Sequence, residues 1–181
     1  MSVATPKVWA EIEAALKSGS FTRVQEMLDE NDVDIVLSLS ANEAASELYE
    51  EAFACASLNG DVSAATKLLD LGIDPTSVRS GQSGFHYAAM RGDGPLVALL
   101  LERKIPLEIK NQYDGTVLGQ ALWSAINEPM PGHAQVIEML IKGGSHVWPG
   151  TLAWWDEQTV LDAETKSRVA RALEEHNDST T

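Results

Sequence analysis

The side chains with the chemistry for catalysis or metal binding are few: His86, His133, His146, the single Cys55, and carboxylates such as Asp114 and Glu128. Zinc needs ligands at spacings such as His at i and i+4 or Cys-x-x-Cys. No pair of these histidines has that spacing, so no metal site is expected. Cys55 stands between Ala54 and Ala56, a setting that predicts a buried thiol rather than a nucleophile. There is no serine-centred elbow and no glycine-rich phosphate loop. The sequence therefore points to no catalytic set and to no cofactor.

Charge narrows the partners. The 181 residues hold 27 acidic against 13 basic side chains, a formal net charge of -14. Such a surface repels phosphate backbones and anionic headgroups, which argues against nucleic acid and membrane. Residues 1–60 carry eleven of the acids and three of the bases, so a basic partner is favoured at that end. One cysteine excludes an internal disulfide, and the opening MSVATPKVWAEIEAALKSG lacks the apolar run of a signal peptide. No stretch reaches the roughly 18 apolar residues of a membrane span. A cytoplasmic, monomeric protein is expected. An Asn-x-Ser sequon at Asn177 falls in a polar terminus and carries no weight without a secretory signal.

The elements that must position these side chains show an internal period. Phe85 and Leu118, Ala88 and Ala121, and Val78 and Asn111 are each 33 residues apart. Around them SGFHYAAMRGD (83–93) and GTVLGQALWSA (115–125) open two similar units, which continue as PLVALLLERKIPLE and AQVIEMLIKGGSHV. On this period and these motifs the chain resembles the ankyrin repeat family, whose units open on Thr-Pro-Leu-His-x-Ala. Here Ser83, Gly84 and Phe85 replace the first three residues, and Gly119 stands where His86 stands one unit earlier.

The resemblance implies an all-α fold: a solenoid of about five stacked helix pairs joined by short hairpin loops. It divides one domain into an N-terminal capping repeat (about 6–40), repeats at 41–77, 78–110 and 111–147, a capping helix pair at 148–176 and a disordered tail at 177–181. Short side chains at Ala54, Ala56, Ala88, Ala89 and Ala121 let first helices approach. Leu68, Leu69, Leu99, Leu100, Met139 and Leu140 give the second helices their stacking face. Gly60, Gly92 and Gly132 are expected in interhelical turns with left-handed backbone, and Gly72 and Gly143-Gly144 at helix ends. Trp148, Trp154 and Trp155 are expected to close the core, with one of the adjacent pair facing out.

Two spacings depart from the period. Gly19 to Gly60 is 41 residues and Gly92 to Gly132 is 40, against 32 from Gly60 to Gly92. The first insertion predicts a lengthened helix beginning near Ser40 or Asn42. The second, WSAINEPMPGH, places two prolines between helices, ending the first near Asn127 and forcing a longer loop.

The resemblance also implies where binding occurs. The family's concave face maps onto Arg79, Ser80, Gln82, Tyr87, Met90 and Arg91 in one repeat, and onto Gln112, Tyr113, Asp114, Gln120, Trp123 and Ser124 in the next. Glu128 begins the inserted loop. In the same way His86 is expected to bond neighbouring loop backbone, and His133 to match the family's Gly-His turn. A scaffold binding a partner protein or peptide is the implied function, and an enzyme is the less favoured class. The alternative is a small-molecule protein or cofactor-free isomerase or cyclase, with Glu128 or Asp114 as acid or base beneath the loop 125–133.

Overall fold

Helix-forming composition without glycine or proline runs through Glu43–Asn59, and in a computed structural model of the chain this stretch is one helix, α1. The structure describes residues 43–179 apart from positions 71, 79 and 80, together with the isolated position 14. Apart from position 14, the capping repeat expected over 6–40 lies outside the described residues, as do the candidates Arg79 and Ser80. Gly60, at φ 72°, turns the chain out of α1. Asp61 Oδ1 then accepts from Ala64 N at 2.9 Å and opens α2, Val62–Asp70.

The remaining helices are α3 (Gly84–Met90), α4 (Gly94–Glu102), α5 (Val117–Asn127), α6 (His133–Lys142), α7 (Thr151–Asp156) and α8 (Ala163–Ser179). The described residues contain helices and no strand, an all-α architecture. Side-chain caps explain three starts: Ser83 accepts from His86 N, Thr116 from Gly119 N and Asp93 from Leu96 N. Pro129 and Pro131 follow the end of α5 at Asn127, as their missing N–H groups require.

The helices pack in two layers. First helices stack α1 on α3 on α5, and second helices stack α2, α4, α6 and α8 in turn. Neither layer can bury its apolar side alone. The core between them holds Phe53, Phe85, Leu96, Leu100, Leu118, Ile137, Leu140 and Leu173, all essentially inaccessible to water. Ion pairs tie the second layer outside: exposed Arg103 to Asp70 at 2.7 Å, and half-buried Arg168, whose Nε and Nη2 donate to the two Glu138 carboxylate oxygens at 3.0 and 2.9 Å. An exposed pair such as Arg103–Asp70 contributes at most about 1 kcal/mol.

Several expectations need correction. Gly132 sits at φ -85°, so its turn requires no left-handed backbone. Its glycine is needed for space: a Cβ there falls 2.0 Å from Gly92 O. Cys55 is half-buried rather than enclosed. Trp148, expected to close the core, is exposed, whereas of the adjacent pair Trp155 is fully buried, with its Nε1–H donating to Lys166 O at 3.1 Å, and Trp154 faces out as expected of one of them. α8 continues to Ser179, taking in residues 177–179 that were expected in a tail. No described helix is long and apolar enough to cross a membrane.

Candidate functional site

The two buried histidines are fully engaged in holding backbone. His86 lies in α3, where its Nε2–H donates to Gly115 O at 3.0 Å and its Nδ1 accepts from Ser83 Oγ at 2.8 Å. The carbonyl can only accept, which fixes the neutral tautomer. His133 repeats the device at the start of α6: Nε2–H donates to Met90 O at 2.8 Å and Nδ1 accepts from Met130 N at 3.0 Å. Burial lowers the pKa of both, against the partial upward pull of those carbonyls. Protonating Nδ1 of His133 would set a new N–H against the Met130 N–H. Both are pins between successive units, not acids or bases.

His86 also orders the turn that carries the candidate surface. Asn111 N donates to Gly115 O, while Asn111 Oδ1 accepts from Tyr113 N at 3.0 Å and Gly115 N at 2.9 Å. Asp114 takes φ 63° at the tip and pairs with Lys110 at 2.8 Å. Gln112 N reaches back to Gly81 O, linking this turn to the one before α3.

Above α3 and α5 this turn forms one wall of a groove of about 650 Å³. Six of the expected residues meet there: Gln82, Met90, Tyr113, Gln120, Trp123 and Glu128, joined by Asn111, Gly115 and Gly119. Tyr113 is 78% exposed and Trp123 51%, large apolar areas for which folding alone gives no reason. Glu128 stands exposed at the C-terminal cap of α5. Gln82 Oε1 is enclosed with no hydrogen-bond partner among the described residues. None of the lining residues is basic.

The other expected residues sit elsewhere or face inward. Ser124 is fully buried and Gln120 nearly so, because Asn111 Nδ2 donates to Gln120 Oε1 at 3.2 Å and Gln120 Nε2 donates to Ser124 Oγ at 3.0 Å. That chain secures the Asn111 turn to α5, so these side chains have internal work and Gln120 offers only the groove's floor. Arg91 lies beside Gly60 and Asp93, outside the groove lining. Tyr87 is half-buried in α3, with its pKa raised by burial and then by Cys55. Gln112 and Asp114 are exposed at the turn's tip.

A second cleft, of about 410 Å³, went unanticipated. It opens between α5 and α7 and is walled by Trp123, Trp148 and Trp154 over Gly119, Leu122 and Pro149. Trp148 and Trp154 are each 42% exposed, and His146 meets the Trp148 ring edge-on at 5.5 Å. The two hollows share Trp123 and Gly119, so they form one continuous face. The signal in sequence is the density of tryptophan around α7, three within residues 148–155.

The proline loop does not cover Trp123 and Tyr113. Pro129, Met130 and Pro131 line a separate hollow of about 320 Å³ against His133, Leu161 and Asp162. Asp162 there is engaged at the start of α8, accepting from Thr165 N at 2.9 Å. Burial followed by the Glu51 charge raises the Cys55 pKa, which disfavours its thiolate. No cluster of metal-ligating side chains occurs among the described residues. In comparisons with known proteins, no family model and no curated protein matches the chain.

Proposed function

We propose that the chain is an ankyrin-type repeat scaffold that binds a partner protein or peptide on the face above α3 and α5. The repeat reading is supported by the helix caps Ser83 and Thr116, which stand 33 residues apart and open helices that pack on each other. The Ser83–His86–Gly115 bridge between successive units supports it further. The observation that carries the function is the groove itself, where Tyr113 and Trp123 present broad aromatic area. Aromatic residues on rigid elements freeze few rotors on binding and are enriched among anchors that dominate affinity.

The open groove favours recognition over acid–base chemistry. A carboxylate tuned for proton transfer must be withdrawn from water, and Glu128 is exposed at the groove's edge. The test is capture of partners from the native source on immobilised protein, followed by binding kinetics. Trp123→Ala and Tyr113→Ala should each raise koff enough to cost about 2 kcal/mol. Val160→Ala, an exposed apolar position outside both aromatic hollows, should leave it unchanged. Wild-type dissociation in both aromatic variants would move the site away from this face.

A further inference from the structure

Three indoles border the smaller cleft. Trp123 stands on α5, Trp148 just before α7 and Trp154 within it, around a hollow of about 410 Å³ over Leu122 and Pro149. Two of the rings are held by aromatic neighbours. His146 meets Trp148 edge-on at 5.5 Å, and Trp154 leans at 52° on the buried ring of Trp155, 6.3 Å away. The lining contains no charged side chain and no amide, and its one hydroxyl, that of Thr151, donates to Trp148 O at 2.8 Å. Around it the whole chain carries a net charge of -14. The cleft therefore favours a positive charge yet has no carboxylate or amide to receive an N–H.

We propose that this cleft seats the trimethylammonium group of a trimethylated lysine in an extended segment of the partner. This rests on the binding reading above and names its ligand chemistry. Aromatic rings attract a cation, and quaternary ammonium groups are recognised by clusters of them. A lysine ammonium or an arginine guanidinium would bring N–H donors out of water into a lining that cannot receive them. A trimethylammonium keeps the charge and has no N–H. A neutral alkyl group would gain nothing from the rings' charge distribution or the field, and an anion would be repelled by both. The source is a lysine rather than a choline headgroup, because Trp123 also borders the larger groove, which gives the residues flanking that lysine a bed that a lone headgroup would leave empty.

The experiment uses the full chain and a small probe, Nα-acetyl-trimethyllysine amide, titrated to millimolar concentration while indole N–H signals are followed by NMR. Two comparison probes are titrated in parallel: the neutral isostere with carbon in place of the quaternary nitrogen, and Nα-acetyl-lysine amide. Saturable shifts should centre on the indoles of Trp123, Trp148 and Trp154, with both comparison probes binding about fivefold more weakly. Trp148→Leu keeps apolar bulk without the ring, so it should erase the preference over the isostere, and its unshifted spectrum elsewhere would show that the fold is intact. Equal binding of trimethyllysine and either comparison probe would overturn the proposal. So would shifts that spread over the acidic surface without saturating. Phosphatidylcholine vesicles should not sediment the chain; sedimentation that Trp148→Leu abolishes would overturn the lysine source. If the trimethyllysine preference is absent while Trp123→Ala still weakens partner binding, the cation seat fails and the scaffold reading stands. If Trp123→Ala also leaves partner binding unchanged, both fall.

Discussion

At the scale of single residues, His86 and His133 show how a titratable group becomes structural. Each imidazole bonds a carbonyl of the neighbouring unit through Nε2 and the start of its own helix through Nδ1. Removing His133 strips Met90 O and Met130 N of that partner, and removing His86 does the same to Ser83, while Gly115 O keeps Asn111 N. His86→Ala and His133→Ala should each destabilise by about 1 to 3 kcal/mol, measured by chemical denaturation. The pH dependence has a definite sign. Both folded-state pKa values lie below the ordinary histidine value, so below about pH 6.5 the unfolded chain binds more protons than the folded one. Their contribution is therefore complete above that pH and declines as pH falls through it. The stability gap between wild type and His133→Ala should narrow from about pH 7.5 to about pH 5. A gap that widens on acidification would show that His133 is charged in the folded state. At this scale the sequence was informative about His86, because its position in SGFHYAA implies a role. The resemblance put Gln120 and Ser124 on the binding face, whereas their burial depends on a hydrogen bond from Asn111, nine residues before Gln120.

At the scale of elements, two glycines separate packing from function. Gly132 precedes α6 with an ordinary backbone, yet an added Cβ would meet a main-chain carbonyl that cannot swing aside. Gly132→Ala should cost about 2 kcal/mol or more and loosen the proline loop, read as a lower Tm and faster amide exchange at Met130. Gly119 is the opposite case. It lies in the first turn of α5, where a Cβ would come no closer than 3.4 Å to Thr116 Oγ1. Alanine there should stabilise the helix by up to about 1 kcal/mol. Gly119 also floors both aromatic hollows, so the same methyl group should weaken partner binding. More stable and less adhesive protein is the expected outcome; unchanged affinity would remove the floor of the groove from the binding surface. Helix positions were legible from the 33-residue offset and from Pro129 and Pro131, both local signals. The cleft between α5 and α7 was not, because it arises from the shortness of α7 and from its packing mainly on α8.

At the scale of the whole molecule, stacking and charge act on different stages of binding. Two helical layers keep the first helices at fixed spacing, so Tyr113 and Trp123 are presented on elements anchored by a shared core. Leu100, fully buried in α4, is part of that anchorage, and Leu100→Ala should cost about 2 to 5 kcal/mol. The charge of -14 reaches beyond contact distance, but only to roughly 10 Å at 0.1 M salt. It can speed the approach of a basic segment without holding it once docked. Dissociation instead requires water to re-enter the aromatic face. Association should therefore slow about tenfold or more between low and high salt, for wild type and Trp123→Ala alike. The salt-independent part of koff should rise only in the aromatic variant. Parallel salt slopes with displaced dissociation rates are the expected pattern in surface plasmon resonance. If salt changed koff as strongly as it slowed association, the bound state itself would be held by charge, and Glu128 rather than Trp123 would be the anchor of the groove.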